Sequence, residues 1–140
     1  MDRKFNIIKI DHIAIASEET SKLTSFFENL LGPTDKENEI VESEGVSVFK
    51  YKVGEVAIET LEIIGANPSL KKFIDKKGTA FHHMSFLVDD ILEAIQYFKS
   101  KNIKVIYDPP KIGASNKYIT FLHPSDSCGL LIEISQNIDG

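Results

Sequence analysis

The spacing of apolar and polar residues changes along the chain, and these changes predict its elements. Residues 7–16 carry β-branched side chains with partial alternation, which is typical of a strand. Apolar residues at helical spacing follow from Leu23 to Leu31, and Gly32 with Pro33 marks the end of that helix. Further strands are predicted near 38–42, 46–53 and 55–63. The first half therefore has the order β-α-β-β-β.

The second half repeats this order. Residues 80–88 have the pattern of a strand, and Asp89 and Asp90 predict the start of a helix that continues to Phe98. Further strands are predicted near 103–107, 118–123 and 129–134. A short helix from Pro68 to Lys77 joins the halves.

The two halves align at a nearly constant offset. His12 aligns with His83 at an offset of 71 residues, and Glu59 aligns with Glu133 at an offset of 74. Order and apolar pattern support this repeat more than residue identity does. Because each half is too small to bury a comfortable core alone, we expect them to pack together. The prediction is an α+β fold of two βαβββ modules, about 7–66 and 79–136, in one domain spanning 1–140.

Composition excludes several classes of protein. With 42% hydrophobic and 26% charged residues, the chain is globular rather than disordered. Its net charge of −5 gives no sign of the basic face usual in nucleic-acid binders, so we expect no nucleic-acid partner, although local basic patches are compatible with this charge. The longest apolar runs are four residues, far below the roughly 20 of a membrane-spanning helix. We therefore expect no membrane partner. A single cysteine, Cys128, rules out an internal disulfide and indicates a reducing compartment, so we expect a cytoplasmic protein.

The repeat places matching polar residues in both halves. Each histidine, His12 and His83, lies on the first strand of its module, and each glutamate, Glu59 and Glu133, lies on the last. If a pseudo-twofold relates the modules, the four side chains converge on one central cavity and form a divalent-metal site. Since no thiolate is included, cobalt, nickel, manganese or zinc would suit the site.

Each of these residues also has a simpler interpretation. A single histidine on a strand is more often a hydrogen-bonded structural residue, and each glutamate alone fits the solvent side of an alternating strand. The match in residue type and position across the repeat favours a site. His82 is a rival to His83, but strand alternation permits only one of them to face the cavity, and the register favours His83.

Three segments resemble a known superfamily. The runs 10–16, 82–91 and 129–134 resemble the vicinal oxygen chelate superfamily. The first run contains Asp11-His12, and the second begins with His82-His83. Lys-Ile-Gly-Ala at 111–114 and Phe-Leu-His-Pro at 121–124 more narrowly resemble the methylmalonyl-CoA epimerase family. The resemblance extends from about residue 8 to residue 136.

This resemblance implies a duplicated βαβββ fold around a metal. Its ligands would be His12, Glu59, His83 and Glu133. The implied activity is epimerisation of methylmalonyl-CoA by α-proton transfer through a metal-stabilised enolate, with Glu133 as base. The implied partners are a CoA thioester substrate and a second copy of the chain in a homodimer.

Two roles have no assigned residue in this interpretation: the second proton-transfer group and the group that holds the CoA phosphates. Some epimerases have a second acid on the strand after the Gly-Val pair, where this chain has Val48. The second proton-transfer group is therefore unassigned among Glu42, Glu44 and Lys50. Candidates for holding the CoA phosphates are Lys111, Gly113 and Lys117, which also fit an ordinary solvated loop.

Two other functions would suit the same residues. Lactoylglutathione lyase, a glyoxalase, also moves protons beside a metal and could use the same two histidines and two glutamates. A non-catalytic small-molecule-binding module of the same fold is the second alternative. A ring-cleaving dioxygenase is disfavoured, because such enzymes commonly need more modules than 140 residues provide.

Overall fold

A computed structural model describes residues 1–139 of the chain. Its strands are β1 (Ile7–Ala16), β2 (Lys36–Val41), β3 (Val46–Val53), β4 (Val56–Ile63), β5 (Ala80–Val88), β6 (Lys111–Gly113), β7 (Lys117–Leu122) and β8 (Ile132–Asn137). Its helices are α1 (Thr20–Leu31), α2 (Pro68–Lys77) and α3 (Ile91–Ser100), and short 3₁₀ turns lie at Glu42–Glu44 and Pro124–Asp126. Gly140, the last residue of the predicted domain, lies outside the described residues.

The chain divides into two compact units. The first-half unit comprises residues 12–82, and the second-half unit comprises residues 1–11 with the chain from His83 onward. Both boundaries fall inside a strand, between Asp11 and His12 in β1 and between His82 and His83 in β5.

The first-half unit has the strand order β2-β3-β4-β1. β1 runs parallel to β4, whereas β2 with β3 and β3 with β4 are antiparallel. Gly45 ends the 3₁₀ turn before β3 with a φ of +63°, and a Cβ there would lie 3.0 Å from the backbone of Ala66. Only glycine adopts this conformation at such close range without strain.

The second-half unit repeats this pairing with the order β5-β8-β7-β6. β5 runs parallel to β8, and the other two pairs are antiparallel. Helix α3 packs Ile91 and Ile95 into a core with Phe5, Val88 and Ile134. The Asp90 side chain caps the helix by accepting a hydrogen bond from the Glu93 amide at 3.1 Å. Each unit thus joins its first and last strands in parallel.

One predicted strand is wrong. Residues 103–107 form no strand, although Val105 makes a single bridge with Leu122. The Thr120 hydroxyl accepts a hydrogen bond from the Tyr107 amide at 3.0 Å and donates to the Tyr107 carbonyl at 2.8 Å. Backbone hydrogen bonds flank the bridge, from the Ile106 amide to Phe121 at 2.8 Å and from the His123 amide to Lys104 at 2.9 Å. The Thr120 side chain takes the place of backbone pairing only at Tyr107, where the ladder stops. The short strand β6 forms instead at 111–113.

Candidate metal centre

The first-half unit brings one histidine and one glutamate together. His12 on β1 and Glu59 on β4 lie on the same face, because the parallel register pairs His12 with Ala57 and Ala14 with Glu59. Both residues are buried, at 6% and 4% exposure. The distance from His12 Nδ1 to Glu59 Oε2 is 3.4 Å.

The second-half unit contains the matching pair. Glu133 on β8 is paired with Ser85 on β5, so Glu133 lies on the same face as His83, two residues earlier. The distance from His83 Nε2 to Glu133 Oε2 is 3.9 Å, and both side chains are buried. The His83 ring also meets Phe121 edge-on at 5.4 Å between centroids.

The residues present suit a divalent ion. Both His–Glu distances exceed the usual 2.7–3.2 Å of a hydrogen bond. Two ligands on one ion, each about 2.1 Å from it, lie about 3.0–3.4 Å apart. The distance in the first-half pair, 3.4 Å, falls in this range, whereas the distance in the second-half pair, 3.9 Å, is longer. Carboxylates as deeply buried as Glu59 and Glu133 normally pair with a cation or coordinate a metal. The imidazoles and carboxylates of these two pairs are candidate metal ligands.

The two adjacent histidines of β5 have different surroundings. His83 lies beside Glu133, whereas the His82 ring packs edge-on against Phe73 of α2 at 4.8 Å between centroids. Alternation along the strand accounts for this difference, because neighbouring side chains point to opposite faces. The structure therefore places His83, rather than its rival, at the candidate centre of the second-half unit.

The cross-strand neighbours of the two glutamates differ. The antiparallel register of β3 and β4 sets Lys50 directly opposite Glu59. In β7 and β8 it sets Phe121 directly opposite Glu133. Directly opposed residues lie on the same face, with Cβ atoms about 4.5–5.5 Å apart. One glutamate thus has a cationic neighbour and the other an aromatic one.

The candidates for a second proton-transfer group also separate. Glu42 and Glu44 belong to the 3₁₀ turn before β3, and Val48 is buried on β3. Lys50, also on β3, is half-buried and shares a face with Glu59. Among these candidates, Lys50 alone lies directly across a strand pair from a proposed ligand.

An ion pair that the sequence did not reveal lies next to the candidate ligand His12. Lys117 Nζ donates a hydrogen bond to Asp11 Oδ1 at 2.6 Å, and both residues are buried. Lys117 therefore begins β7 as a buried, paired residue, so the alternative that it belongs to a solvated loop is wrong. Asp11 and Lys117 are 106 residues apart, so only the position of Asp11 beside His12 could have drawn attention to the pair.

The other two phosphate candidates differ from Lys117. Lys111 is exposed, and its ammonium lies 4.1 Å from the centroid of the Tyr107 ring. Gly113 packs so closely on Ile119 that a Cβ would lie 2.7 Å from its Cδ1. Lys111 therefore keeps an accessible charge, whereas Gly113 allows β6 to approach the Ile119 side chain.

Comparison with known proteins identifies the class of protein. Residues 11–121 match the model of the Glyoxalase/Bleomycin resistance protein/Dioxygenase superfamily. The chain belongs to this superfamily, as the repeated parallel pairing of first and last strands and the repeated His–Glu pair suggest.

Individual relatives narrow the assignment. The mitochondrial methylmalonyl-CoA epimerase of Bos taurus is 34% identical over 133 residues, which cover 94% of this chain and 76% of the bovine protein. An ethylmalonyl-CoA/methylmalonyl-CoA epimerase of Cereibacter sphaeroides is 31% identical over 130 residues, covering 91% and 97% of the two chains. The chain therefore belongs to the methylmalonyl-CoA epimerase family of enzymes, and the predicted resemblance is confirmed.

A solved structure supports the same assignment. A methylmalonyl-CoA epimerase in complex with methylmalonyl-CoA and NH4+ superposes with a TM-score of 0.88 at 28% identity, covering 95% of this chain and 96% of that chain. The predicted α+β vicinal oxygen chelate fold is confirmed. Within residues 1–139, no helix has the length and apolar character needed to cross a membrane.

Proposed function

We propose that this chain interconverts the two stereoisomers of methylmalonyl-CoA by moving the proton on the carbon between the two carbonyl groups. The observation that carries the proposal is the buried His–Glu pair found once in each unit, at 3.4 Å and 3.9 Å. Membership of the epimerase family supports the choice of substrate. The substrate is then a CoA thioester, for which Lys111 is the remaining exposed phosphate candidate.

The proposed metal ligands are His12, Glu59, His83 and Glu133, acting on one divalent ion. Support comes from their matched positions in the repeat, from the family resemblance and from the donor types in each pair. Cobalt, nickel, manganese and zinc all fit two imidazoles and two carboxylates. When bound, such an ion would act as a Lewis acid toward the thioester and carboxylate oxygens of the substrate.

Proton transfer is assigned to the side chains. Glu133 removes the α-proton on one face, and the electron pair of the C–H bond moves into the enolate. Inversion of configuration requires that a proton be added to the opposite face of the substrate α-carbon. The Lys50 ammonium is the proposed donor, because Lys50 lies on the same strand face as Glu59 and is only half-buried.

Other features of the proposal rest on the sequence. The modules 7–66 and 79–136 are proposed to form one domain of 1–140. A homodimer is proposed from the family and from chain size. The single cysteine supports a reducing compartment, for which the cytoplasm is proposed.

Proton exchange in heavy water tests the function. One stereoisomer of methylmalonyl-CoA is incubated with the protein and Co²⁺ in D₂O, while NMR follows the α-proton and chiral analysis follows the configuration. We expect both deuterium incorporation and inversion, and we expect both to stop after chelation of the metal. Wild-type protein that exchanges no α-proton with any of the four metals would contradict the proposal.

Lactoylglutathione lyase is the second candidate, because the same pairs of histidine and glutamate would serve its proton transfer. The hemithioacetal of methylglyoxal and glutathione is assayed beside methylmalonyl-CoA. Faster turnover of the hemithioacetal would favour the lyase. Failure to turn over either compound, together with failure to bind a divalent ion, would favour a non-catalytic binding module.

A further inference from the structure

A buried ion pair lies at the start of the segment that carries His12. Asp11 is 6% exposed and Lys117 is 8% exposed, and the Lys117 ammonium donates to Asp11 Oδ1 at 2.6 Å. Asp11 is the last residue of β1 in the second-half unit, and β7 begins at Lys117. The pair therefore ties two strands of the second-half unit together at one point.

Stability alone does not account for this pair. Removing two charges from water costs several kcal/mol per ion, and replacing a buried pair with apolar side chains is often neutral or stabilising. The hydrophobic cluster of the second-half unit surrounds α3 and includes neither Asp11 nor Lys117. Stability therefore does not by itself require charges at positions 11 and 117, and the ion pair invites another explanation.

The position of the pair in the chain suggests that explanation. The chain is held just before β1, where Asp89 accepts hydrogen bonds from the Asn6 amide at 2.7 Å and from its side chain at 3.0 Å. Asp11–Lys117 provides a second fixed point, five residues later and directly before His12. A directional, charge-assisted hydrogen bond defines the strand position more narrowly than apolar packing does.

The residue before the second candidate histidine, His83, also makes a tertiary contact. His82 packs edge-on against Phe73 of α2 at 4.8 Å, and His83 follows it. The repeat thus places a tertiary contact one residue before each candidate ligand. The contact is an ion pair before His12 and an aromatic pair before His83.

We infer that Asp11 and Lys117 are positioning residues for His12, holding the β1 backbone so that the imidazole is oriented for metal binding. This inference rests on the proposed function, because it assumes that His12 is a ligand. Residues that orient ligands without touching the metal commonly affect metal affinity by about 10- to 100-fold.

The test measures Co²⁺ affinity of the full chain by isothermal titration. The double variant Asp11→Asn with Lys117→Met removes both charges and leaves neither one buried alone. We expect it to fold, as judged by circular dichroism, and to bind Co²⁺ about 10- to 100-fold more weakly than wild type. Wild-type affinity in the folded double variant would overturn the inference.

Two further variants keep the test decisive. Asp11→Glu retains the charge but moves it by one methylene, so we expect weaker Co²⁺ binding even if the double variant does not fold; unchanged affinity would overturn the positioning role. The matched control Lys99→Met with Asp108→Asn removes an exposed pair at 2.7 Å in the same unit. We expect this control to bind Co²⁺ as wild type does.

The outcomes separate the two proposals. Wild-type protein that fails to bind Co²⁺, nickel, manganese or zinc would overturn both the metal site and the role of Asp11–Lys117. Wild-type protein that binds Co²⁺, with unchanged affinity in the Asp11→Glu variant and the folded double variant, would overturn only the positioning role.

Discussion

The two halves of the molecule carry the same pair of candidate ligands in different surroundings. Each half places a histidine on its first strand and a glutamate on its last, and these strands run parallel. Across the neighbouring strand, however, Glu59 faces Lys50, whereas Glu133 faces Phe121. Ser85 and Ser135, joined by a hydrogen bond of 3.1 Å, add neutral polar groups in the second half.

This difference shows how a repeated unit can supply two different roles. The ligand types are the same in both halves, so each half can contribute one imidazole and one carboxylate to a metal. The neighbouring residues differ, so the chemistry beside each carboxylate need not be the same. We expect Glu133 to act as the base in its half and Lys50 to serve as the proton donor in the other.

The largest expected effect separates the two glutamates. Glu133→Gln removes the proposed base and should lower α-proton exchange by about 10³-fold or more. Glu59→Gln keeps an oxygen ligand and should retain measurable exchange. Deuterium incorporation into methylmalonyl-CoA in D₂O measures both variants. Equal losses in the two variants would remove the distinction between the halves.

The next largest effect is expected when Lys50 is replaced, because this change should slow inversion of the substrate but leave α-proton exchange. Lys50→Met should lower inversion by about 10²-fold, while Glu133 still exchanges the α-proton of one stereoisomer without inverting it. Lys52→Met, an exposed lysine on the same face of β3, is the matched control and should behave as wild type. If Lys50→Met inverts the substrate at the wild-type rate, the proton donor is another group.

A third comparison concerns the contacts that precede the two histidines. Lys117→Met leaves Asp11 buried without its cation and should lower the free energy of unfolding by about 3–5 kcal/mol. Phe73→Leu removes the aromatic contact with His82 and should lower it by about 1 kcal/mol. Urea denaturation of metal-free protein measures both values. An equal loss of unfolding free energy in the two variants would show that the buried ion pair and the aromatic contact stabilise the protein to the same extent, contrary to this prediction.

The smallest effect depends on pH and concerns the starts of α1 and α3, the helices that follow the first strand of each half. Hydrogen bonds from the Asn6 backbone and side chain lower the pKa of Asp89, which lies just before α3. α1 begins at Thr20 without a side-chain cap. A lowered pKa in the folded state stabilises the protein above the unfolded pKa of about 3.9, and this contribution disappears as pH falls through the folded pKa.

Asp89→Asn removes this titration. The free energy of unfolding of wild type should therefore fall more steeply than that of Asp89→Asn as the pH is lowered from 5 to below the folded pKa of Asp89. Urea denaturation over this range compares the two proteins. Parallel pH dependence would show that the Asn6–Asp89 hydrogen bonds do not contribute.

Local pattern predicted most elements with accurate bounds. β1 forms at 7–16 and α2 at 68–77, because alternation, an N-terminal proline and a terminal glycine act over a few residues. The predicted strand at 103–107 is reduced to a single bridge at Val105, because the Thr120 hydroxyl replaces backbone pairing at Tyr107. In α1, Phe26 and Leu30 belong to the apolar stripe, yet they are 57% and 61% exposed.

The sequence by itself determined the duplicated βαβββ order and the four candidate ligands, because strand and helix periods and the spacing of the repeat are local properties of the chain. Only the tertiary structure decided the neighbours of those residues. Strand register sets Lys50 opposite Glu59 and Phe121 opposite Glu133. It also brings Lys117 to Asp11. Register is fixed by which apolar faces pack together and by turn geometry, and it joins residues that are far apart in the chain.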